Sequence, residues 1–130
     1  MRERIMVASV LMSLAISLPL ASQQTSAAPT VPGDATRGQA LFERRCTGCH
    51  AIDENREGPR LRGVYGRKAG TVPTFNYSTA LRNSGVAWTE ENLNRWLTDS
   101  DAMIAGSEMG FAVGREQERA DLIAYLKSLR

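Results

Sequence analysis

Cys46-Thr47-Gly48-Cys49-His50 holds both cysteines and the only histidine of the 130-residue chain. This is the attachment signature of a c-type haem. Two thiols add across the two porphyrin vinyl groups, and the two-residue spacer matches the separation of those vinyls. The adjacent imidazole then falls under the iron as an axial ligand. With no second histidine, the other face of the iron is either open or held by a different side chain. A fold built on this motif must wrap a large apolar cofactor.

Other readings of Cys-x-x-Cys fare worse. A structural zinc site needs four ligands, and the chain has too few thiols and imidazoles to supply them. A thioredoxin-like pair follows a strand in a βαβ pattern, whereas this pair follows a helical stretch. A disulfide between Cys46 and Cys49 closes a very small loop and stabilises little.

The N-terminus addresses the chain for export. Arg2 and Arg4 precede an apolar run from Ile5 to Leu20, interrupted only by Ser9, Ser13 and Ser17, and a small, uncharged stretch follows to Thr30. Charged, apolar and small-residue parts in this order form a secretory signal peptide, residues 1–27, with cleavage expected near Ala27 or Ala28. The run is shorter than the ~20 residues that span a bilayer, so no stable membrane span is expected after cleavage. Export to a bacterial periplasm is the expected localisation.

Cleavage leaves residues 28–130, one domain by length. Of the 16 basic and 14 acidic residues, Arg2, Arg4 and Glu3 belong to the signal, which leaves 14 and 13, a net charge of +1. No basic run interleaved with aromatics is present, so nucleic acid is not an expected partner.

Helical signals frame the mature chain. Asp34 is placed to cap a helix to about Arg45, with Gly38, Leu41 and Phe42 on one face. Thr89 caps a second, with Glu90 and Glu91 at its positive end and Leu93, Trp96 and Leu97 as its apolar positions. A third runs from about Glu116 to Leu129, with Leu122, Ile123, Leu126 and Leu129 in one stripe. Between them lie long segments rich in Gly and Pro, and no alternating strand pattern. Long loops between terminal helices make poor packing for a plain bundle but suit a chain wrapped round a cofactor.

Residues 33–130 resemble a class I cytochrome c, nearest the mitochondrial cytochrome c and bacterial cytochrome c2 branch. Gly38 and Phe42 match its first helix, Leu122 and Tyr125 its last, and Gly58-Pro59-x-Leu61 the segment on the histidine side of the haem. Gly66-Arg67-Lys68-Ala69-Gly70, Phe75-Asn76-Tyr77-Ser78 and Gly85-Val86-Ala87-Trp88 follow in the family's order. The resemblance implies an all-α cytochrome c fold, with N- and C-terminal helices crossing and long loops wrapping one covalently bound haem c. It implies that Arg67, Tyr77 and Trp88 surround a buried propionate, a carboxylate that needs donors once it leaves water.

The sixth ligand narrows by elimination to Met103 or Met109, because Met1, Met6 and Met12 leave with the signal. The resemblance selects Met109, since Ile104-Ala105-Gly106-Ser107-Glu108-Met109-Gly110-Phe111 matches the family's methionine loop. His50 and Met109 are thus the implied axial ligands. Pro59, Leu61, Trp96, Ser107 and Phe111 join the implied haem pocket.

The chain departs from the family at several points. Ala105 replaces the loop proline, Trp96 a tyrosine, and Leu81 a polar residue near the propionates. Asp101, Ala102 and Glu108 stand where the mitochondrial members carry docking lysines. Arg44, Arg45, Arg60, Arg62 and Lys68 lie elsewhere, so a mixed or weakly basic contact face is expected.

The implied function is a soluble, monomeric one-electron carrier of a respiratory chain, not an enzyme. Its donor would be a cytochrome bc1-type complex or a dehydrogenase, and its acceptor a terminal oxidase or reductase. The alternatives are a dedicated electron-accepting subunit of a periplasmic dehydrogenase and, on weaker grounds, a haem peroxidase.

Overall fold

The computed structural model describes residues 27–130. The signal peptide expected over residues 1–27 therefore lies, but for Ala27, outside the described residues. Among the described residues five helices occur in the order α1 (Ala35–Arg45), α2 (Thr79–Asn83), α3 (Glu90–Thr98), α4 (Ser100–Met103) and α5 (Glu116–Ser128). Among the described residues the only β-type pairing is an isolated antiparallel bridge between Lys68 and Ala87.

Local chemistry starts most of these helices. The Asp34 carboxylate accepts from the Arg37 amide at 2.8 Å, and the Thr89 hydroxyl from Asn92 at 3.3 Å. Ser78 and Asp99 do the same for α2 and α4, accepting from Leu81 at 3.2 Å and Ala102 at 3.0 Å. Each bond satisfies an amide that a helix start leaves without a partner. The two short helices were not expected, because four or five residues show no periodicity.

The frame of the molecule is the crossing of α1 and α5, which share the core residues Leu41, Phe42, Leu122, Ile123 and Leu126. The helices touch backbone to backbone at Gly38, where a Cβ would lie 2.0 Å from the Asp121 carbonyl oxygen. Asp121 is buried at this crossing, 5% exposed, within an otherwise apolar stripe. Arg37 grips it through two bonds of 2.8 Å, and the Asp34 amide and the Gln117 side chain add bonds of 2.8 and 3.0 Å. A buried carboxylate needs such partners, and the hydrogen bond from Arg37, before any other cause, holds its pKa below the usual range.

The long segment from His50 to Ser78 is tied at its middle to the chain after α5 and to the loop before α3. Gly63 donates to the Leu129 carbonyl at 2.6 Å, and the Trp88 amide donates to the Arg67 carbonyl at 2.9 Å beside the isolated bridge. The space enclosed between these loops and the helices is where the expected site residues meet.

Candidate functional site

One cavity of about 460 Å³ opens between α1, α3, α5 and the loops. Cys46, Cys49, His50, Pro59, Leu61, Arg67, Tyr77, Trp88, Trp96, Ser107, Met109 and Phe111 all line it, so every site residue expected from the sequence faces the same space. Met103 does not line it and packs against the core instead.

The cysteine end is built by the last turn of α1. Cys46 is the residue at which the helix stops, and Cys49 and His50 both donate their amides to its carbonyl, at 3.1 and 2.9 Å. This turn sets Cys46 half-buried and Cys49 exposed, both as free thiols. Burial pushes the Cys46 thiol up to about 11.

His50 is fixed by the loop that follows. Its Nδ1 lies 2.9 Å from the Pro59 carbonyl oxygen. A carbonyl can only accept, so Nδ1 carries the proton and Nε2 keeps a free lone pair. Burial lowers the His50 pKa, with the Pro59 bond opposing it, which favours the neutral ring needed for ligation. Gly58 forms the backing of this ring. A Cβ there would lie 2.3 Å from His50 Cε1 and 2.8 Å from Nε2.

The opposite wall is the methionine loop, held at both ends. The Phe111 amide donates to the fully buried Ser100 hydroxyl at 2.9 Å, and Val113 donates to the Leu97 carbonyl at 2.7 Å. Ser78 Oγ reaches the Ser107 carbonyl from the other side at 3.4 Å. Within the loop, Gly106, Glu108 and Gly110 are left-handed, with φ of 81°, 68° and 56°. Glu108 is the only non-glycine residue with positive φ among those described. Backbone strain thus sits next to Met109.

Polar groups at the far end suit a buried acid. Arg67 is half-buried and donates to the Arg62 and Arg60 carbonyls at 3.1 and 3.0 Å, with burial lowering its pKa. The Tyr77 hydroxyl accepts from the Val72 amide at 3.4 Å, and burial raises its pKa. Ser107 Oγ is buried and has no hydrogen-bond partner. A buried hydroxyl left unpaired in a cavity wall marks the place of a polar group on a ligand. Trp88 and Trp96 close the interior, ring centroids 5.1 Å apart.

Leu93 and Leu97, expected as core positions, also line the cavity, as do Asn76 of the Phe75-Asn76-Tyr77-Ser78 segment and Glu57, which the sequence did not single out. The leucines were marked by their helical spacing. Nothing local marks Glu57.

The expected mixed or weakly basic contact face depends on which of these charges stay unpaired at the rim. Arg45 is paired with Glu118 at 3.3 Å, Arg62 with Asp53, and Arg44 faces the groove between α1 and α5. Arg60 and Lys68 do not line the cavity. Glu57 and Glu108 do, both exposed, and neither has an ion pair among the described residues. Of these cations Arg45 alone is paired across a long stretch of chain, Arg62 pairs nine residues away, and Arg60 and Lys68 lie off the cavity without an ion pair among the described residues.

The fit to a haem is direct. The volume lies within the roughly 300–1,000 Å³ of small-molecule and cofactor sites. Two free thiols, an imidazole with an available nitrogen, a thioether and an orphaned buried hydroxyl face one apolar space.

A family model described as Cytochrome c matches residues 35–130. Cytochrome c of Euglena viridis is 44% identical over 101 residues, covering 75% of this chain and 99% of that protein. Cytochrome c2 of Blastochloris viridis is 44% identical over 106 residues, covering 78% and 83%. The solved structure of cytochrome cH from Methylobacterium extorquens superposes with a TM-score of 0.71 at 37% identity, covering 74% of this chain and 99% of that one. Together with the cavity and the residues that line it, these matches make the chain a member of the cytochrome c family.

Proposed function

We propose that this protein is an exported one-electron carrier whose haem is attached through Cys46 and Cys49 and held axially by His50 and Met109. Proteins of the cytochrome c family transfer electrons through one covalently bound haem c and are not enzymes. The observation that carries the ligand assignment is that His50, with Nε2 free, and Met109 line one cavity from which Met103 is absent.

When bound, the haem would supply one reversible electron, with His50 and Met109 as the residues that would hold its iron. The chain's own work is positioning. Pro59 orients the imidazole and fixes its tautomer, and Gly58 leaves room for it. Ser100, Leu97 and Ser78 hold the methionine loop, which keeps Met109 in place without the loop proline. Arg67, Tyr77, Trp88 and Ser107 offer cation and donors to a propionate, while Leu61, Trp96 and Phe111 exclude water. No helix among the described residues is long and apolar enough to cross a membrane. The signal peptide over residues 1–27 supports a periplasmic location, and a membrane complex or dehydrogenase as donor with an oxidase or reductase as acceptor.

The test is spectroscopic. Met109→Ala should abolish the sulfur-to-iron charge-transfer band, lower the reduction potential and allow cyanide and carbon monoxide to bind. Met103→Ala should change none of these. A band that survives in Met109→Ala and disappears in Met103→Ala overturns the assignment.

A further inference from the structure

The charges around the cavity mouth divide by whether they are already paired. Arg56 donates to Glu54 at 3.0 and 3.2 Å and to the Thr47 carbonyl at 3.2 Å. Arg45 lies over the Phe111 ring at 5.2 Å and shares Glu118 with Arg115. Arg67, the one arginine lining the cavity, is half-buried and bonded to two carbonyls. The carboxylates behave differently. Glu57 precedes the glycine behind His50, Glu108 precedes Met109, and both are exposed at the mouth with no hydrogen-bond or ion-pair partner among the described residues. Exposed Asp101 is likewise unpaired, and a methyl on Gly110 would lie 3.8 Å from its Oδ2, which places a third carboxylate beside the methionine loop.

These free carboxylates outweigh the single surplus positive charge of the Arg45, Arg115 and Glu118 group. Arg56 with Glu54, and Arg62 with Asp53, cancel locally. With Arg67, whose bonds to neutral carbonyls leave its charge uncancelled, also counted, the mouth is negative by about one charge although the mature chain as a whole is basic. Unpaired charges steer association over about 8 Å at physiological salt, and half-buried Met109 and Phe111 provide an apolar centre inside that polar rim.

We infer that the cavity mouth docks a redox protein whose contact face is cationic, rich in lysine or arginine, with Glu57, Asp101 and Glu108 as the steering charges. The role of the docked partner rests on the electron-carrier reading; the charge pattern does not.

The experiment uses reduced holoprotein and two nitroxides that differ only in a trimethylammonium or a carboxylate group. For about one net negative charge roughly 8 Å from the probe, the cation-to-anion ratio of amide broadening should be about fourfold at 0.01 M salt and about twofold at 0.15 M. The expected site is the amides of residues 57, 101 and 108–110. The triple variant Glu57→Gln, Asp101→Asn, Glu108→Gln should lose this preference. In a parallel titration, hexalysine should shift the same amides and hexaglutamate should not. A stronger effect of the anionic nitroxide, shifts caused by hexaglutamate, or no response of these amides to hexalysine would overturn the inference. Such a result with the Met109 band intact removes the docking proposal alone. Cyanide binding by the unmodified protein removes the carrier reading alone.

Discussion

Gly38→Ala tests whether the α1–α5 crossing is limited by backbone contact. The added Cβ would lie 2.0 Å from the Asp121 carbonyl oxygen, 2.6 Å from its carbon and 2.8 Å from Tyr125 Cβ. Ordinary contact begins at 3.4 Å, so the helices must separate by about 1.4 Å. No rotamer relieves this, because the nearest atoms are main chain and the new atom has no torsion to turn. Separation would loosen the packing of Phe42 and Leu122 and stretch the bonds from Arg37 and Asp34 to Asp121. Overpacking of this kind costs roughly 3 kcal/mol at the upper end of its usual range. Alanine's better helical propensity returns about 1 kcal/mol.

The net loss is then about 2 kcal/mol or more, a fall in Tm of roughly 8–16 °C for a domain of this size. Thermal and urea unfolding of the oxidised holoprotein would measure it. Gly114→Ala is the control, since a Cβ there meets nothing within 4 Å, and should stay within about 0.5 kcal/mol of wild type. A Gly38→Ala variant that melts within about 3 °C of wild type would refute the claim that backbone contact sets the crossing.

Three further outcomes are expected. Asp121→Asn should cost about 2 kcal/mol, the scale of a charged hydrogen bond at a part-exposed arginine. Because the folded-state pKa of Asp121 is depressed, this contribution is complete above the ordinary carboxylate range and disappears as pH falls through the folded value. Urea midpoints of variant and wild type should therefore converge in acid, and a gap that stays constant would show that shape, not charge, is lost. Gly58→Ala should displace His50, whose Cε1 lies 2.3 Å from the added carbon, and should alter the axial-ligand spectrum more than the unfolding midpoint. Cys46→Ala with Cys49→Ala should leave haem extractable by acid solvent, and persistent covalent attachment would contradict the opening reading.

What the sequence disclosed depended on how far apart the interacting groups lie along the chain. The starts of α1 and α3 were legible because Asp34 and Thr89 cap amides only three residues ahead. The haem signature was legible for the same reason, five adjacent residues closed by bonds to the Cys46 carbonyl. α2 and α4 left only their caps, Ser78 and Asp99, as signals. The burial of Asp121 had no local mark, because Arg37 and Asp34 stand 84 and 87 positions away. The methionine loop became readable only through its resemblance to a known pattern, and its anchoring by Ser100 belongs to the folded state alone.

The rim shows why a charge count and a contact surface are different quantities. Composition adds every charge with equal weight, and on that count the chain is slightly basic. A partner meets only what internal pairing leaves. Arg45 reaches Glu118 across 73 residues, and Arg62 reaches Asp53 across nine, so those cations are largely spoken for before any encounter. An exposed ion pair gains little for stability, yet it removes a monopole from the field that steers association. Glu57, Asp101 and Glu108 have no such partner, and two of them sit where the cofactor cavity opens. Reversing one alone should therefore change association more than stability. Glu108→Lys should leave the unfolding midpoint within about 0.5 kcal/mol of wild type, while its electron-exchange rate with a cationic redox protein falls and that with an acidic one rises. Equal effects on both partners would place the docking surface away from the mouth.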